Sequence, residues 1–168
     1  MRQVPDRQIF IYTIGHGNRK IEELISLLQQ NSIEILIDVR SVPYSRFHPQ
    51  YRQSNLKASL ENAGLTYLWL GKELGGRPAD PALNHNGKVN YEAVKKTELF
   101  QAGIEKVLQL AKESIKVTLM CSESDPNECH RKHLIADEFV SGGATVFHIN
   151  KIGRIEPHTK NSISSLFS

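Results

Sequence analysis

Two nearly continuous apolar runs, separated by one helical repeat, most constrain how this chain can fold. Residues 9–14 and 33–39 consist largely of isoleucine and other apolar residues, many of them β-branched. Between these runs, apolar residues recur at helical spacing, at Ile21, Leu24, Ile25 and Leu28. Strands that are apolar along their whole length are typical of parallel sheets, in which both faces are covered. This strand–helix–strand unit therefore predicts an α/β fold.

The rest of the chain repeats the alternation of strands and helices. Further strands are predicted at 66–70, 116–120 and 145–149, and further helices at 54–63, 99–111 and 126–140. Several side chains are expected to cap helices: Asn18, Ser54, Asn90 and Thr97. The predicted architecture is a three-layer sandwich, with a mostly parallel sheet of about five strands and helices on both faces. Residues 1–150 form the predicted domain, and residues 151–168 form a tail or a short terminal element.

Composition narrows the class of protein without naming a function. A chain of 168 residues is long enough for one domain with a proper core. Its net charge of +3 is too small to indicate nucleic-acid binding by itself. No apolar run reaches the roughly 18 residues that a membrane span needs, and residues 1–8 lack the apolar core of a signal peptide. We therefore expect a cytoplasmic protein with reduced cysteines and no membrane partner.

Polar and reactive residues follow four of the predicted strands directly. His16 follows the first strand, and Asp38 and Arg40 end the second. Lys72 and Glu73 follow the third strand, and Cys121, Ser122 and Glu123 follow the fourth. Ligands of open α/β sheets bind beyond the carboxyl ends of the strands, so these residues predict a site at that edge.

Structural alternatives exist for the first two of these groups. His16 stands between two glycines, and this motif alone is better explained as a strand-to-helix turn with a solvated histidine than as a ligand site. Asp38 and Arg40 are two residues apart, so their side chains point to the same side of an extended segment. They either form a salt bridge that shapes the following loop, or Arg40 binds an anion while Asp38 orients it.

The loop after the second strand is unusually rich in cations and aromatic residues. Its cations are Arg40, Arg46, His48 and Arg52, and they alternate with Tyr44, Phe47 and Tyr51. No acidic residue occurs between Asp38 and Glu61. Arginines next to aromatic rings suit phosphates and stacked bases. The structural alternative is a surface loop that its aromatic residues anchor to the core.

The segment from Leu119 to Arg131 contains both cysteines of the chain. Cys121 ends a strand and faces a helix start at Asp125-Pro126, where backbone N–H groups favour a thiolate. It can be a nucleophile, a metal ligand or a small buried residue, and a disulfide with Cys129 is a further alternative. Core packing explains Cys129 best. His130 and Arg131 lie in the first turns of the helix and can reach an anion at its N-terminus.

Five short motifs together resemble the family called domain of unknown function 488. They are Tyr12-Thr-Ile-Gly-His16, Ile37-Asp-Val-Arg40, His48-Pro-Gln-Tyr51, Leu74-Gly-Gly-Arg77, and the cysteine pattern from Cys121 to Arg131. The resemblance covers residues 9–149. It implies functional roles for His16, Asp38, Arg40, Arg77, Cys121, Glu123, Cys129, His130 and Arg131. Family members often have serine where this chain has Gly17, and asparagine where it has His48. The family is uncharacterised, so the resemblance implies no reaction.

Three hypotheses about function follow. The first is binding of a phosphate-bearing or other anionic ligand, a nucleotide or a nucleic acid, held by Arg40, Arg46, His48, Arg77 and Arg131. Catalysis by this site would use His16, Asp38, Cys121, Glu123 and His130. The second is a thiol enzyme that uses Cys121, loosely similar to the rhodanese-type sulfurtransferases, although Glu123 and Asp125 oppose a thiolate. The third is a non-catalytic module that binds a partner or a metal. The sequence leaves the cofactor and the oligomeric state open, and it indicates no set of metal ligands.

Overall fold

The computed structural model describes residues 8–123, residue 125 and residues 131–159, except for the side chains of residues 131–133. Its strands are β1 (Ile9–Gly15), β2 (Ile35–Asp38), β3 (Thr66–Trp69), β4 (Asn84–His85), β5 (Lys88–Val89), β6 (Val117–Cys121), β7 (Ala144–Ile149) and β8 (Ile155–Pro157). Its α-helices are α1 (Ile21–Gln30), α2 (Gln53–Asn62), α3 (Gly71–Leu74), α4 (Tyr91–Lys95), α5 (Glu98–Lys112) and α6 (Asp137–Ser141).

Six of the strands form one mostly parallel sheet, which confirms the predicted α/β fold. The strand order is β3-β2-β6-β1-β7-β8, and only the edge pair of β7 and β8 is antiparallel. The sheet has one strand more than predicted, because β8 lies in the segment expected to be a tail or a short terminal element. β4 and β5 form a separate hairpin within the long segment after β3.

Helices cover both faces of the sheet, so the core has two parts. Alternate residues of each strand point to opposite faces. Thus Ile11 and Leu119 pack with α5 and α6 on one face, whereas Ile14 and Met120 pack with α1 and α2 on the other. Leucines supply much of the second layer: Leu24, Leu28, Leu56 and Leu60, all fully buried. The near-continuous apolar character of the strands follows from this burial on both sides.

Helix boundaries differ from the prediction at two N-termini. α1 begins at Ile21 without a side-chain cap, because residues 16–19 form a turn closed by the Arg19 N–H on the His16 carbonyl. The expectation that Asn18 caps this helix is therefore wrong. α2 is preceded by Arg52 and has no side-chain cap, so the same holds for Ser54. The predicted caps Asn90 and Thr97 are confirmed, since each side chain accepts a backbone N–H.

The helix predicted over 126–140 is confirmed for its second half. Residues 131–136 form a π-helical turn that continues into α6, and residues 126–130 lie outside the described residues. Within the part of the chain that the structure describes, no helix is both long and apolar enough to cross a membrane.

Candidate functional site

The carboxyl ends of the parallel strands bring the predicted site residues to one edge of the sheet. β6 pairs with β1 on one side and with β2 on the other, and Gly15 lies level with Cys121. The backbone N–H of His16 donates to the Cys121 carbonyl oxygen at 3.0 Å. The N–H of Val39 donates to the Met120 carbonyl oxygen, also at 3.0 Å. The segments that begin at His16, Val39 and Cys121 are therefore fixed side by side.

Asp38 is a buried acceptor that organises the end of β2. Its carboxylate is fully buried and accepts hydrogen bonds from the Arg40 backbone N–H, from Arg40 Nε at 2.9 Å, from Arg40 Nη2 at 2.7 Å and from the Tyr67 hydroxyl at 2.7 Å. Burial, and then the Asp38 charge, raise the pKa of Tyr67, so its hydroxyl stays a donor. The structure thus forms the salt bridge that the sequence left as one alternative.

Arg40 is held on more than one side and keeps uncommitted hydrogens. Besides the Asp38 bonds, its Nη1 donates to the Tyr51 carbonyl oxygen at 2.7 Å. Each terminal guanidinium nitrogen carries two hydrogens, and each makes one bond to a described residue. Arg40 is 4% exposed and lines a cleft, and the bonds to Asp38 and Tyr51 fix the orientation of its guanidinium. A buried pair of this kind costs about 3–5 kcal/mol to break by removing one partner.

His16 is a buried histidine with one nitrogen unpaired. Its Nδ1 lies 2.8 Å from the Gly17 carbonyl oxygen, an acceptor that requires a proton on Nδ1. The Nε2 atom is buried and has no hydrogen-bond partner among the described residues. Burial lowers the pKa of His16 to about 4, and the nearby Arg40 charge acts in the same direction. At neutral pH the Nε2 atom is therefore an unprotonated acceptor without a donor.

Tyr51 connects His16 to Arg40. Its ring stacks on the imidazole of His16 with centroids 4.2 Å apart, and its carbonyl oxygen accepts from Arg40. Its hydroxyl donates to the Arg19 carbonyl oxygen at 2.9 Å, and the side chain is fully buried. The loop of residues 40–52 is therefore anchored at its end by one aromatic residue.

A cleft of about 560 Å³ opens at this edge of the sheet. Its walls come from three segments and one helix residue: residues 40–42 and 44, residues 76–77, Tyr91, and residues 121–123. Among the predicted site residues it brings together Arg40, Arg77, Cys121 and Glu123. His16 is absent from its lining residues: its backbone is hydrogen-bonded to that of Cys121, and its imidazole stacks on Tyr51.

Two glycines let the segment after β3 approach the Arg40 loop closely. A Cβ at Gly71 would lie 1.8 Å from the Arg40 carbonyl oxygen, and one at Gly75 would lie 2.1 Å from the Ser41 hydroxyl oxygen. Ser41 in turn accepts the backbone N–H of Arg77 at 2.9 Å. This contact fixes the backbone of Arg77 across the cleft from Cys121 while its side chain stays exposed.

Cys121 is buried in the cleft wall and is disulfide-bonded in the structure. This differs from the expectation of reduced cysteines and agrees with the disulfide alternative. The other cysteine of the sequence, Cys129, lies outside the described residues. The Cys121 sulfur is 3.4 Å from the Glu123 carbonyl oxygen, a contact without a proton because a disulfide sulfur carries none. Cys121 is therefore no thiolate nucleophile unless the disulfide is reduced.

The remaining predicted residues lie in the loop beside the cleft or outside the described residues. The side chain of Arg46 is exposed and that of His48 is half-buried, both in the loop beside the cleft. His130 and the side chain of Arg131 lie outside the described residues. No group of three or more His, Cys, Asp or Glu side chains that could hold a metal occurs within the described ranges.

Sequence reasoning missed two residues that support the site. Tyr67 contacts Asp38 from the neighbouring strand, and the register of β2 and β3 would have been needed to predict it. Arg19 is buried, and its side chain donates to the carbonyl oxygens of Gly15 and Asn150. Its position directly after the Gly15-His16-Gly17 turn was the available signal.

The fold and the site together define an α/β protein with a polar cleft at the carboxyl edge of a mostly parallel sheet. The chain belongs to the family described as "Domain of unknown function DUF488", whose model matches residues 20–137. The resemblance seen in the five motifs is thereby confirmed. No curated protein and no solved structure matches the chain.

Proposed function

We propose that this protein binds a nucleotide, either as such or as part of a nucleic acid, in the cleft. The observation that carries the proposal is the position of Arg40. Arg40 lines the cleft, its guanidinium is held by Asp38 and Tyr51, and each terminal nitrogen keeps one hydrogen that is not used by a described residue. A donor fork that is already oriented loses little conformational entropy on binding and suits phosphate oxygens.

The charges that line the cleft favour a nucleotide over a bare anion. The Arg40 charge is balanced by Asp38, so Arg77 is the cation that gives the cleft its attraction for phosphate. Glu123 lines the same cleft and would repel a bare phosphate. A nucleotide has both a phosphate for the arginines and sugar hydroxyl or base amino groups that a carboxylate accepts. The presence of positive and negative side chains in one cleft is therefore consistent with binding of a nucleotide.

Within this proposal, His16 and Glu123 serve as the acid/base candidates. Glu123 can contact a ligand in the cleft directly. His16 does not line the cleft, and its buried Nε2 acceptor would take a hydrogen bond from a ligand group or a water that reaches it. Asp38 acts through Arg40, as a positioning residue.

Calorimetry and thermal shift with mononucleotides and with inorganic phosphate test the proposal. We expect a mononucleotide to bind more tightly than phosphate and to raise the melting temperature. Arg77→Ala should weaken binding about tenfold or more, since a charge-assisted hydrogen bond contributes about 1.5–3 kcal/mol. Arg154→Ala removes an exposed arginine that does not line the cleft and serves as the control. No binding of any nucleotide to the unmodified protein would overturn the proposal.

A second candidate function is thiol redox chemistry, favoured by the disulfide-bonded Cys121 in the cleft wall. In that reaction a substrate dithiol would be oxidised to a disulfide while the disulfide of Cys121 takes up its electrons and protons. A reduction potential near that of the cytosolic glutathione pool, abolished by Cys121→Ser, would support it. A strongly negative potential typical of structural disulfides would contradict it.

A further inference from the structure

We propose that the loop beside the cleft binds the unpaired bases of a single-stranded nucleic acid. The name aromatic–arginine loop is used for residues 42–52. The inference rests on the proposed function, because it names the polymer whose nucleotide the cleft would hold. It is carried by the exposure of the loop's aromatic rings, by its charge and by a second groove next to the cleft.

The aromatic–arginine loop exposes apolar side chains that its own folding does not need. Phe47 is 78% exposed, Val42 66% and Tyr44 55%. These side chains gain little from burial within the chain, whereas Tyr51 already anchors the loop. Tyr44 and Val42 also line the cleft, so the exposed rings begin where the cleft ends. A contiguous exposed apolar patch at a site is typical of a binding surface.

Arginines cover the same rings. The Arg46 guanidinium lies 5.4 Å from the centre of the Phe47 ring, and that of Arg52 lies 4.9 Å from the Tyr44 ring. Arg52 Nε also donates to the Ser45 carbonyl oxygen at 3.2 Å, which holds its guanidinium in the loop. Each ring therefore has a cation beside it, the combination that contacts a base and its phosphate together.

The charge of this surface complements a phosphate backbone. From residue 39 to residue 60 the chain has no acidic side chain. Within this stretch, Arg46, Arg52 and Lys57 add three positive charges. Such a one-sided distribution attracts polyanions and does not fit an acid-poor or basic protein partner.

A second groove extends the surface beyond the cleft. It has a volume of about 410 Å³ and is lined by Gln53, Ser54, Lys57, Tyr67, Leu68 and Trp69. The indole of Trp69 donates to the carbonyl oxygen of Arg40, which lines the cleft, so the groove and the cleft meet at this hydrogen bond. Two adjoining depressions beside exposed rings suit successive nucleotides of one strand.

The aromatic rings of the loop can stack on bases only if the nucleic acid is single-stranded. In a duplex each base face is covered by its neighbours, and only an unpaired strand offers base faces to aromatic side chains. Stacking needs no sequence-specific donors, so we expect weak sequence preference.

Fluorescence anisotropy with a labelled ten-nucleotide oligothymidylate and its ribonucleotide counterpart tests the inference. We expect the single strand to bind at least tenfold more tightly than a duplex of the same length and than a mononucleotide. Phe47→Ala should weaken binding about tenfold, the size found for one stacked base, while binding of the mononucleotide stays unchanged. Ile152→Ala, which removes an apolar side chain that is 71% exposed and lines neither the cleft nor the second groove, is the matched control.

Salt dependence gives an independent readout. The logarithm of the affinity should fall with the logarithm of salt concentration, and Arg46→Ala should reduce that slope by about 0.7. Arg154→Ala should leave the slope unchanged. A protein that binds mononucleotide but binds the oligonucleotide no better would overturn this inference alone and leave the loop to a protein partner. A protein that binds neither would overturn the proposed function as well.

Discussion

Two buried histidines of this protein, His148 and His16, differ in whether their ring nitrogens are satisfied. His148 belongs to a row of hydrogen bonds that runs from Thr13 through His148 and His158 to Asp137. We call this row the closed chain, because each ring nitrogen of both histidines has a partner in it. His16 uses one nitrogen and leaves the other buried without a partner among the described residues. Both are at most 4% exposed, so exposure does not separate them.

The closed chain fixes the position of every proton when both imidazoles are neutral. The Asp137 carboxylate only accepts, so His158 donates to it from Nε2 at 2.7 Å. His158 Nδ1 then accepts from His148 Nε2 at 2.9 Å, and His148 Nδ1 accepts from the Thr13 hydroxyl. This chain joins β1, β7 and α6 with residue 158 beyond β8. It therefore stabilises the fold.

His16 differs from His148 because its Nε2 atom is buried without a partner among the described residues. Buried polar atoms are normally paired, and an orphaned one points to a function or to an unseen partner. His16 lies at the carboxyl edge of the sheet, where its backbone is hydrogen-bonded to that of Cys121. We therefore propose that His148 contributes to stability and that His16 belongs to the site.

Removing His148 should have the largest effect on stability. His148→Ala breaks the bonds to Thr13 and His158 and leaves a cavity, so the free energy of unfolding should fall by about 4 kcal/mol. Urea denaturation measures this, with the exposed His85→Ala as control. Nucleotide affinity should be unchanged. Equal free energies of unfolding for His148→Ala and His85→Ala would contradict the structural role of His148.

Acid should act through His16. Its pKa is 6.5 when unperturbed and about 4 in the fold, so the unfolded state binds a proton that the folded state excludes. The stabilisation is complete above pH 6.5 and is lost as the pH falls toward about 4, and the shift corresponds to roughly 3 kcal/mol. Denaturation between these limits should show this loss in the unmodified protein. His16→Gln should remove that share of the acid sensitivity, and an unchanged pH dependence in the variant would contradict the account.

A pair of buried threonines tests the value of one hydrogen bond. Thr13 donates to His148, whereas the Thr118 hydroxyl is buried without a partner among the described residues. Thr13→Val should lose about 1–2 kcal/mol, because it leaves His148 Nδ1 unsatisfied. Thr118→Val removes an unsatisfied group and should be neutral or stabilising. The two threonines are a matched pair, because both are fully buried and they lie on adjacent strands, one residue out of register. Thermal unfolding of both variants measures the difference in stability.

The convergence of the candidate site residues at one edge of the sheet was predictable from the sequence, but the bonds between them were not. The apolar runs define parallel strands, and the rule that ligands bind beyond their carboxyl ends places His16, Asp38 and Arg40 together. The closed chain joins residues 135 positions apart and involves His158 from the predicted tail, so no local pattern indicates it. The sequence of the loop after β2 also did not indicate that Tyr51 is buried and anchors the loop while Phe47 is exposed. Both are aromatic residues in one irregular segment, so no periodicity separates them.

Nitrogen NMR of the histidine rings with and without a nucleotide, assigned with His16→Gln, tests the role of His16 directly. At neutral pH we expect an unprotonated His16 Nε2 whose resonance moves when the nucleotide is added. The resonances of His148 and His158 should stay in place. A protonated Nε2, or a His16 resonance that does not move at saturating nucleotide, would contradict the assignment of His16 to the site.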